Sequence, residues 1–183
     1  MIKLNEKELI EGLKSGDEKA FIEVVELYKK KIISLCYTYT NEYQEAEDIS
    51  QEVFITLYKS IKSFRGDCSL STYIYKITVS RCLDYKRKKS IKNFLTGFIG
   101  YKSDDYRDLD EKNYIRQCIL SLPEDLKITV ILYYYIGLSQ KEIADILGIT
   151  QKNVEGRIYR ARQKLKIELE KGGEILCSKN GMI

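Results

Sequence analysis

Residues 138–166, LSQKEIADILGITQKNVEGRIYRARQKLK, predict two short helices separated by a tight turn. Ser139 and Glu142 form a capping-box pattern at the start of the first helix, and Gly148 supplies a residue that can end it in the left-handed conformation. Thr150 is placed to cap the second helix, whose apolar stripe consists of Val154, Ile158, Ala161 and Leu165. The pattern is typical of a helix-turn-helix.

The second helix of this pair carries a polar and mainly basic face opposite its apolar stripe. The face contains Gln151, Lys152, Glu155, Arg157, Tyr159, Arg160 and Arg162. Basic faces on helices are often only solvated, so the turn by itself does not establish a function. The capped first helix and the clustered arginines favour a helix that enters the major groove of DNA.

The composition limits the functions that the chain can have. With 183 residues, 44% of them hydrophobic, and a formal net charge of +4, it fits one or two small globular domains with a modest preference for polyanions. The sequence has no histidine, no CxxC pair and no glycine-rich phosphate loop. We therefore predict no catalytic site, no metal site and no cofactor. The five scattered cysteines suit reduced thiols in a cytoplasmic protein, and we expect neither a signal peptide nor a membrane span.

Apolar residues recur every three or four positions along most of the chain, which predicts an all-α fold. A helix expected over about residues 42–63 begins with an acidic half, and Glu45, Asp48 and Glu52 share one side of it. The helix macrodipole accounts for carboxylates in the first turn only. An acidic side on a basic protein suggests a basic protein partner, although spacing alone leaves both explanations open.

A loop over residues 65–69 and a helix predicted over residues 70–89 follow. The end of that helix is strongly basic: Arg81, Lys86, Arg87, Lys88, Lys89 and Lys92 stand against Asp84 alone. Cations suit a helix C-terminus, but this run is longer than that effect requires. Three tyrosines on the same helix, Tyr73, Tyr75 and Tyr85, are predicted to stack on unpaired bases.

Helical periodicity fails after Lys89, and residues 93–112 are predicted to be a linker containing glycine, serine and aspartate. The apolar first half of this segment, residues 94–99, is expected to pack on this chain or on a partner. The prediction is therefore two small helical domains joined by a flexible linker: residues 1–92 and residues 113–171, with a frayed tail over residues 172–183.

Two stretches of the chain resemble a known family. Residues 45–89, EAEDISQEVFITLYKSIKSFRGDCSLSTYIYKITVSRCLDYKRKK, resemble region 2 of bacterial RNA polymerase sigma factors. Residues 122–166, LPEDLKITVILYYYIGLSQKEIADILGITQKNVEGRIYRARQKLK, resemble region 4. The short segment between them, without a region 3 domain, is typical of the extracytoplasmic-function (ECF) group. The resemblance implies a non-enzymatic initiation factor that binds core RNA polymerase and promoter DNA and is held inactive by an anti-sigma factor.

The resemblance also implies roles for individual residues. Glu45, Asp48, Gln51 and Glu52 match the surface that docks on the clamp helices of the polymerase β′ subunit. The −10 element is expected to contact Phe64, Arg65, Gly66, Asp67, Ser69, Ser80, Arg81, Asp84, Lys86, Arg87, Lys88 and Lys89, with the loop capturing a flipped base. The −35 element is expected to contact Gln151, Lys152, Glu155, Gly156, Arg157, Tyr159, Arg160 and Arg162. The resemblance also implies that the protein contacts a second part of the polymerase, the β flap.

The sequence departs from the family pattern at four positions. Tyr58 and Tyr73 stand where tryptophan is frequent, and Glu155 and Gly156 stand where a basic residue and a serine are common. Glutamate can accept a hydrogen bond from cytosine N4 but cannot pair with guanine, so a distinct −35 preference is expected. Two other functions remain to be distinguished: a helix-turn-helix regulator that binds DNA without polymerase, and a helical interaction module that binds no DNA.

Overall fold

A computed structural model describes the backbone of residues 5–96 and 111–180, and the side chains of residues 5–90 and 114–170. Every regular element within these ranges is a helix, which confirms the predicted all-α class. The chain divides into two compact units on either side of residue 100. Residues 97–110, which form most of the predicted linker, and residues 1–4 and 181–183 lie outside the described residues.

The first unit contains helices α1 (Glu6–Ser15), α2 (Glu18–Thr40), α3 (Tyr43–Ser60), a short 3-10 turn (Ile61–Ser63) and α4 (Leu70–Thr96). Helices α2, α3 and α4 pack against one another and bury Ile32, Leu35, Val53, Leu57 and Ile74. Helix α1 packs on α2 through Gly12, where an added Cβ would lie only 2.6 Å from the Cβ of Ala20. The missing side chain lets these two helices approach closely.

Helix α4 is longer than the sequence predicted. The pattern predicted an end at Lys89, whereas the helix continues to Thr96. No glycine or proline occurs between residues 90 and 96, and the loss of apolar periodicity alone does not stop a helix. Because α5 begins at Glu111, both ends of the predicted linker are helical. The domain boundaries that the sequence suggested stay a prediction.

The second unit contains α5 (Glu111–Leu120), α6 (Glu124–Val130), a π-helical segment (Ile131–Ile136), α7 (Gln140–Leu147) and α8 (Gln151–Asn180). Leu122, Leu126, Val130 and Ala161 form a buried cluster, against which Leu165 packs. The backbone of residues 172–180, predicted to fray, is helical as the end of α8. Gly172 and Gly173 each cost about 1 kcal/mol of helix propensity, which weakens a helix without ending it.

Candidate nucleic-acid and partner interfaces

The helix-turn-helix forms with the local contacts that its sequence predicts. The Ser139 backbone N–H donates to the Glu142 carboxylate at 2.9 Å, and the Glu142 backbone N–H donates to Ser139 Oγ at 3.3 Å, which completes the capping box. Gly148 ends α7 with φ at 64°. Thr150 Oγ1 accepts from the Asn153 backbone N–H at 3.2 Å at the start of α8. The turn and both helix ends are therefore fixed by neighbouring residues.

Helix α8 buries one side and exposes the other. Val154, Ile158 and Ala161 are buried. The exposed predicted DNA contacts are Gln151, Lys152, Glu155, Tyr159, Arg160 and Arg162, and Tyr159 is 63% exposed. A Cβ added to Gly156 would meet nothing within 4 Å, so this position leaves open space on the exposed side. The Arg162 guanidinium lies 5.8 Å from the centre of the Tyr134 ring, which gives that arginine a defined direction.

Arg157 is the exception on this helix, because the sequence predicted an outward side chain and the structure turns it inward. Arg157 Nε lies 3.6 Å from Asp125 Oδ2 of α6, and the Arg157 side chain is only 23% exposed. Helical spacing places Arg157 at the margin of the apolar stripe, where a long side chain can cover a neighbouring helix. The structure thus separates Arg157 from the exposed basic face.

Helix α3 presents an exposed polar face in the first unit. Asp48, Gln51 and Glu52 are all exposed, as the sequence predicted. The same side of the helix continues with Ile55 and with Tyr58, which is 56% exposed and contacts Phe21 at a ring-centroid distance of 5.4 Å. The sequence suggested aromatic packing for Tyr58 and did not reveal this apolar extension of the acidic face.

Glu45 does not join that exposed face. Its carboxylate accepts a short hydrogen bond from the Tyr85 hydroxyl and forms an ion pair with Lys89 Nζ at 3.1 Å. Lys89 Nζ also donates to Tyr85 Oη at 2.7 Å. Burial, followed by the hydrogen bond to Glu45, raises the pKa of Tyr85, and the hydrogen bond to Tyr85 raises the pKa of Lys89. The start of α3 is thereby joined to the basic end of α4.

The loop between α3 and α4 has a buried base and an exposed tip. Phe64 is only 7% exposed and packs on Tyr73 at a ring-centroid distance of 4.8 Å, so its side chain is not accessible for the predicted contact with DNA. A loop gives no periodicity from which this burial could be predicted. Arg65, Gly66 and Asp67 are exposed, and Gly66 adopts a φ of 82° that favours glycine.

Ser69 closes this loop by capping α4. Ser69 Oγ accepts from the Thr72 backbone N–H at 3.1 Å and lies 2.9 Å from the hydroxyl oxygens of Ser71 and Thr72. The Tyr73 hydroxyl donates to Ser60 Oγ at 2.8 Å, which ties α4 back to α3. Side-chain contacts therefore hold both the start of α4 and the residues that precede the loop.

The polar side of α4 contains both exposed and engaged residues. Ser80, Arg87, Lys88 and Lys89 are exposed. Arg81 is half-buried, where its Nε donates to Thr56 Oγ1 at 3.2 Å and its guanidinium lies 3.6 Å from Asp84, which also pairs with Arg87. Lys86 Nζ lies 5.6 Å from the centre of the Tyr39 ring.

The three tyrosines of α4 that were predicted to stack on bases are not all exposed. Tyr75 is 2% exposed and contacts Tyr28 at a ring-centroid distance of 6.2 Å, so the prediction that it stacks on bases is wrong. Tyr73 and Tyr85 are half-buried and make the hydrogen bonds described above. Helix α4 contacts both α2 and α3, and this wide contact buries a broader sector than a single stripe.

The described residues include no cluster of histidine, cysteine, aspartate or glutamate that could hold a metal ion. Cys36 and Cys82 are buried free thiols whose sulfur atoms lie 3.7 Å apart. No helix in the described part of the chain is both long and apolar enough to cross a membrane.

Comparisons with known proteins place both units in one family. The family model "Sigma-70 region 2" matches residues 24–91, and the family model "Sigma-70, region 4" matches residues 112–165. The ECF RNA polymerase sigma factor SigW of Bacillus subtilis is 36% identical over 89% of this chain and 96% of its own length. The ECF RNA polymerase sigma-E factor of Escherichia coli is 33% identical over 88% of this chain and 93% of its own length.

Two solved structures share the fold. CnrH, solved in complex with the cytosolic domain of CnrY, has a TM-score of 0.71 and 22% identity over 91% of this chain and 97% of its own. The sigma factor RpoE, solved with the anti-sigma factor NepR from Bartonella quintana, has a TM-score of 0.71 and 21% identity over 83% of this chain and 98% of its own. These similarities support the same helical architecture.

Proposed function

The chain belongs to the ECF group of RNA polymerase sigma factors, and from this membership we propose that it binds core RNA polymerase and directs transcription initiation at a specific set of promoters. Sigma factors are transcription initiation factors rather than enzymes. The observation that carries the proposal is the presence, in one chain, of the exposed acidic face of α3, the exposed loop tip before α4 and the exposed basic face of α8.

The face of α3 made by Asp48, Gln51 and Glu52 docks on the clamp helices of the polymerase β′ subunit. All three side chains are exposed, and Asp48 and Glu52 carry the negative charge that complements a basic helical partner. Glu45 contributes indirectly, because its carboxylate is engaged with Tyr85 and Lys89. The second unit contacts the β flap.

The loop tip and the polar side of α4 bind the non-template strand of the −10 element. Arg65, Gly66 and Asp67 receive a base that has left the stack, since the loop tip is exposed and its ends are held. Ser80 and Lys88 contact the strand, with Lys88 placed on a phosphate, whereas Arg87 and Lys89 lie beside the strand in their ion pairs with Asp84 and Glu45. Phe64 and Arg81 support this surface from beneath.

The exposed side of α8 reads the −35 element in the major groove. Glu155, Tyr159 and Arg160 face base edges, and Lys152 contacts phosphate. Gly156 leaves room for close approach. A glutamate at this position favours cytosine over guanine at the base pair that it faces.

The protein acts in the cytoplasm, where polymerase and promoters are found. An anti-sigma factor controls it by covering its polymerase or DNA surfaces. The supporting observation is that a structural relative with the same fold was solved together with an anti-sigma factor. In the absence of that partner the sigma factor engages polymerase.

Run-off transcription with bacterial core polymerase tests the proposal. We expect transcripts that begin downstream of a shared pair of promoter elements, and core binding that weakens when Asp48 and Glu52 are both changed to lysine. A protein that neither binds core polymerase nor starts transcripts from genomic fragments would contradict the proposal.

A helix-turn-helix regulator that acts without polymerase makes the opposite prediction in a second assay. Such a regulator would bind duplex DNA tightly and specifically as the isolated protein in a gel shift. A sigma factor requires core polymerase for the same promoter specificity.

A further inference from the structure

Helix α1 contacts the loop between α3 and α4 at the end where that loop leads into α4. The Glu6 carboxylate, at the start of α1, accepts a hydrogen bond from the Leu70 backbone N–H at 2.6 Å. Leu70 is the first residue of α4 and is itself buried. A backbone N–H at a helix start has no partner within the helix, so an anionic acceptor there is favourable. Glu6 thus fixes the residue that follows the loop.

The other end of α1 lies at the entrance of the same loop. Lys14 Nζ lies 5.8 Å from the centre of the buried Phe64 ring, within the range of a cation–π contact. Helix α1 also packs against the 3-10 turn that leads into Phe64. The loop is therefore held at Phe64 by the last turn of α1 and at Leu70 by its first turn.

Helix α1 is itself well placed to act as a rigid support. Asn5 and Glu8 cap its start through reciprocal hydrogen bonds of 2.9 Å. Gly12 allows close packing on Ala20 of α2. Between the two held ends, the loop tip exposes Arg65, Gly66 and Asp67. A tip supported in this way keeps one conformation before its ligand arrives, which lowers the entropic cost of binding.

We propose that α1 positions the base-capturing loop, with Glu6 and Lys14 as the positioning residues. The inference rests on the proposed function, since it assumes that the loop captures an unstacked base of the −10 strand. Neither residue touches DNA in this proposal. Glu6 acts through the Leu70 backbone and Lys14 acts through the Phe64 ring, so their loss weakens recognition of the captured base while leaving the electrostatic attraction of the strand intact.

The experiment uses the holoenzyme formed from the full chain and core polymerase. A single-stranded DNA pool with randomised positions first yields a preferred sequence. Affinity is then measured for that sequence and for derivatives with an abasic site at each position in turn. The position with the largest loss identifies the captured base, and the ratio of intact to abasic affinity measures capture directly.

We expect Glu6→Ala to reduce that ratio about tenfold, and Glu6→Gln, which keeps an acceptor oxygen for the Leu70 N–H, to reduce it less. Glu8→Ala is the matched control, because it removes the carboxylate half of the α1 capping box without removing a loop contact. Glu11→Ala controls for the loss of an exposed carboxylate. Both controls should keep the ratio within about twofold of the wild-type value.

Two results would overturn the inference while leaving the proposed function in place. One is a Glu6→Ala holoenzyme that retains the wild-type ratio. The other is a Glu8→Ala holoenzyme that loses as much as Glu6→Ala, because helix stability would then explain the effect. A wild-type holoenzyme that starts transcripts but tolerates an abasic site at every position would reject base capture by the loop, and the inference with it.

Discussion

Arg157 and Arg160 lie one turn apart on α8, and the structure predicts that they have different tasks. Arg160 is exposed, whereas Arg157 pairs with Asp125 at 3.6 Å. We expect Arg160→Met to weaken promoter binding and Arg157→Met to weaken the fold. Methionine retains most of the apolar stem in both variants, and each change removes one positive charge, so the two are matched.

The magnitudes follow from exposure. An arginine that reads a base edge contributes about 1–3 kcal/mol, so Arg160→Met should lower the affinity of the holoenzyme for its promoter by about 5- to 150-fold. The Arg157–Asp125 ion pair is partly exposed, with side-chain exposures of 23% and 48%. Solvent screening therefore limits its contribution to about 0.5 kcal/mol of folding free energy. Arg157→Met should cost promoter affinity less than about threefold, the effect of one non-specific charge.

Promoter affinity is measured with the holoenzyme on a mapped promoter at fixed salt. Stability is measured by urea unfolding of the full chain, followed through backbone amide signals of α8 so that this unit is observed by itself. A double-mutant cycle with Asp125→Asn isolates the ion pair. Equal losses of promoter affinity for Arg157→Met and Arg160→Met, with no coupling between Arg157 and Asp125, would refute the assignment.

Three further predictions use other contacts. In urea unfolding, Gly12→Ala should destabilise the first unit by about 1–3 kcal/mol, because the added Cβ would lie 2.6 Å from Ala20 Cβ. Gly156→Ala should instead stabilise α8 by about 1 kcal/mol, because its added Cβ meets nothing within 4 Å and alanine has the higher helix propensity. Tyr85→Phe should cost about 1 kcal/mol of unfolding free energy by removing the hydroxyl between Glu45 and Lys89, with the exposed Tyr135→Phe as the neutral control. Glu155→Arg should change the base preferred at one −35 position in selection from randomised promoters, while affinity for core polymerase stays the same.

The elements that the sequence predicted well are those that neighbouring residues determine. The Ser139–Glu142 capping box, the turn at Gly148 and the Thr150 cap involve groups a few residues apart, so the pattern carries the geometry. The apolar stripe of α8 was predictable for the same reason, since helical spacing sorts side chains into buried and exposed sides.

The contacts that the sequence could not reveal join residues far apart in the chain. Helical spacing assigns Glu45 and Arg157 to a side of a helix, but it does not say which neighbouring helix supplies a partner. Lys89 and Asp125 fill that role through the packing of α3 on α4 and of α6 on α8. Glu6 reaches Leu70 through the packing of α1 near the loop. Each of these depends on tertiary structure rather than on local pattern.

These long-range pairs determine which basic residues remain free to contribute to DNA binding. Arg81 and Arg157 are basic, but each directs its guanidinium toward a carboxylate or hydroxyl of its own unit. A neutralised side chain releases few counterions when DNA binds, because little free charge remains to displace them. The salt dependence of promoter binding should therefore follow the exposed cations, such as Lys88, Lys152 and Arg160, rather than the total number of basic residues in the two segments that we propose to bind DNA. The paired arginines Arg81 and Arg157 instead stabilise the packing of the helices that present those exposed cations.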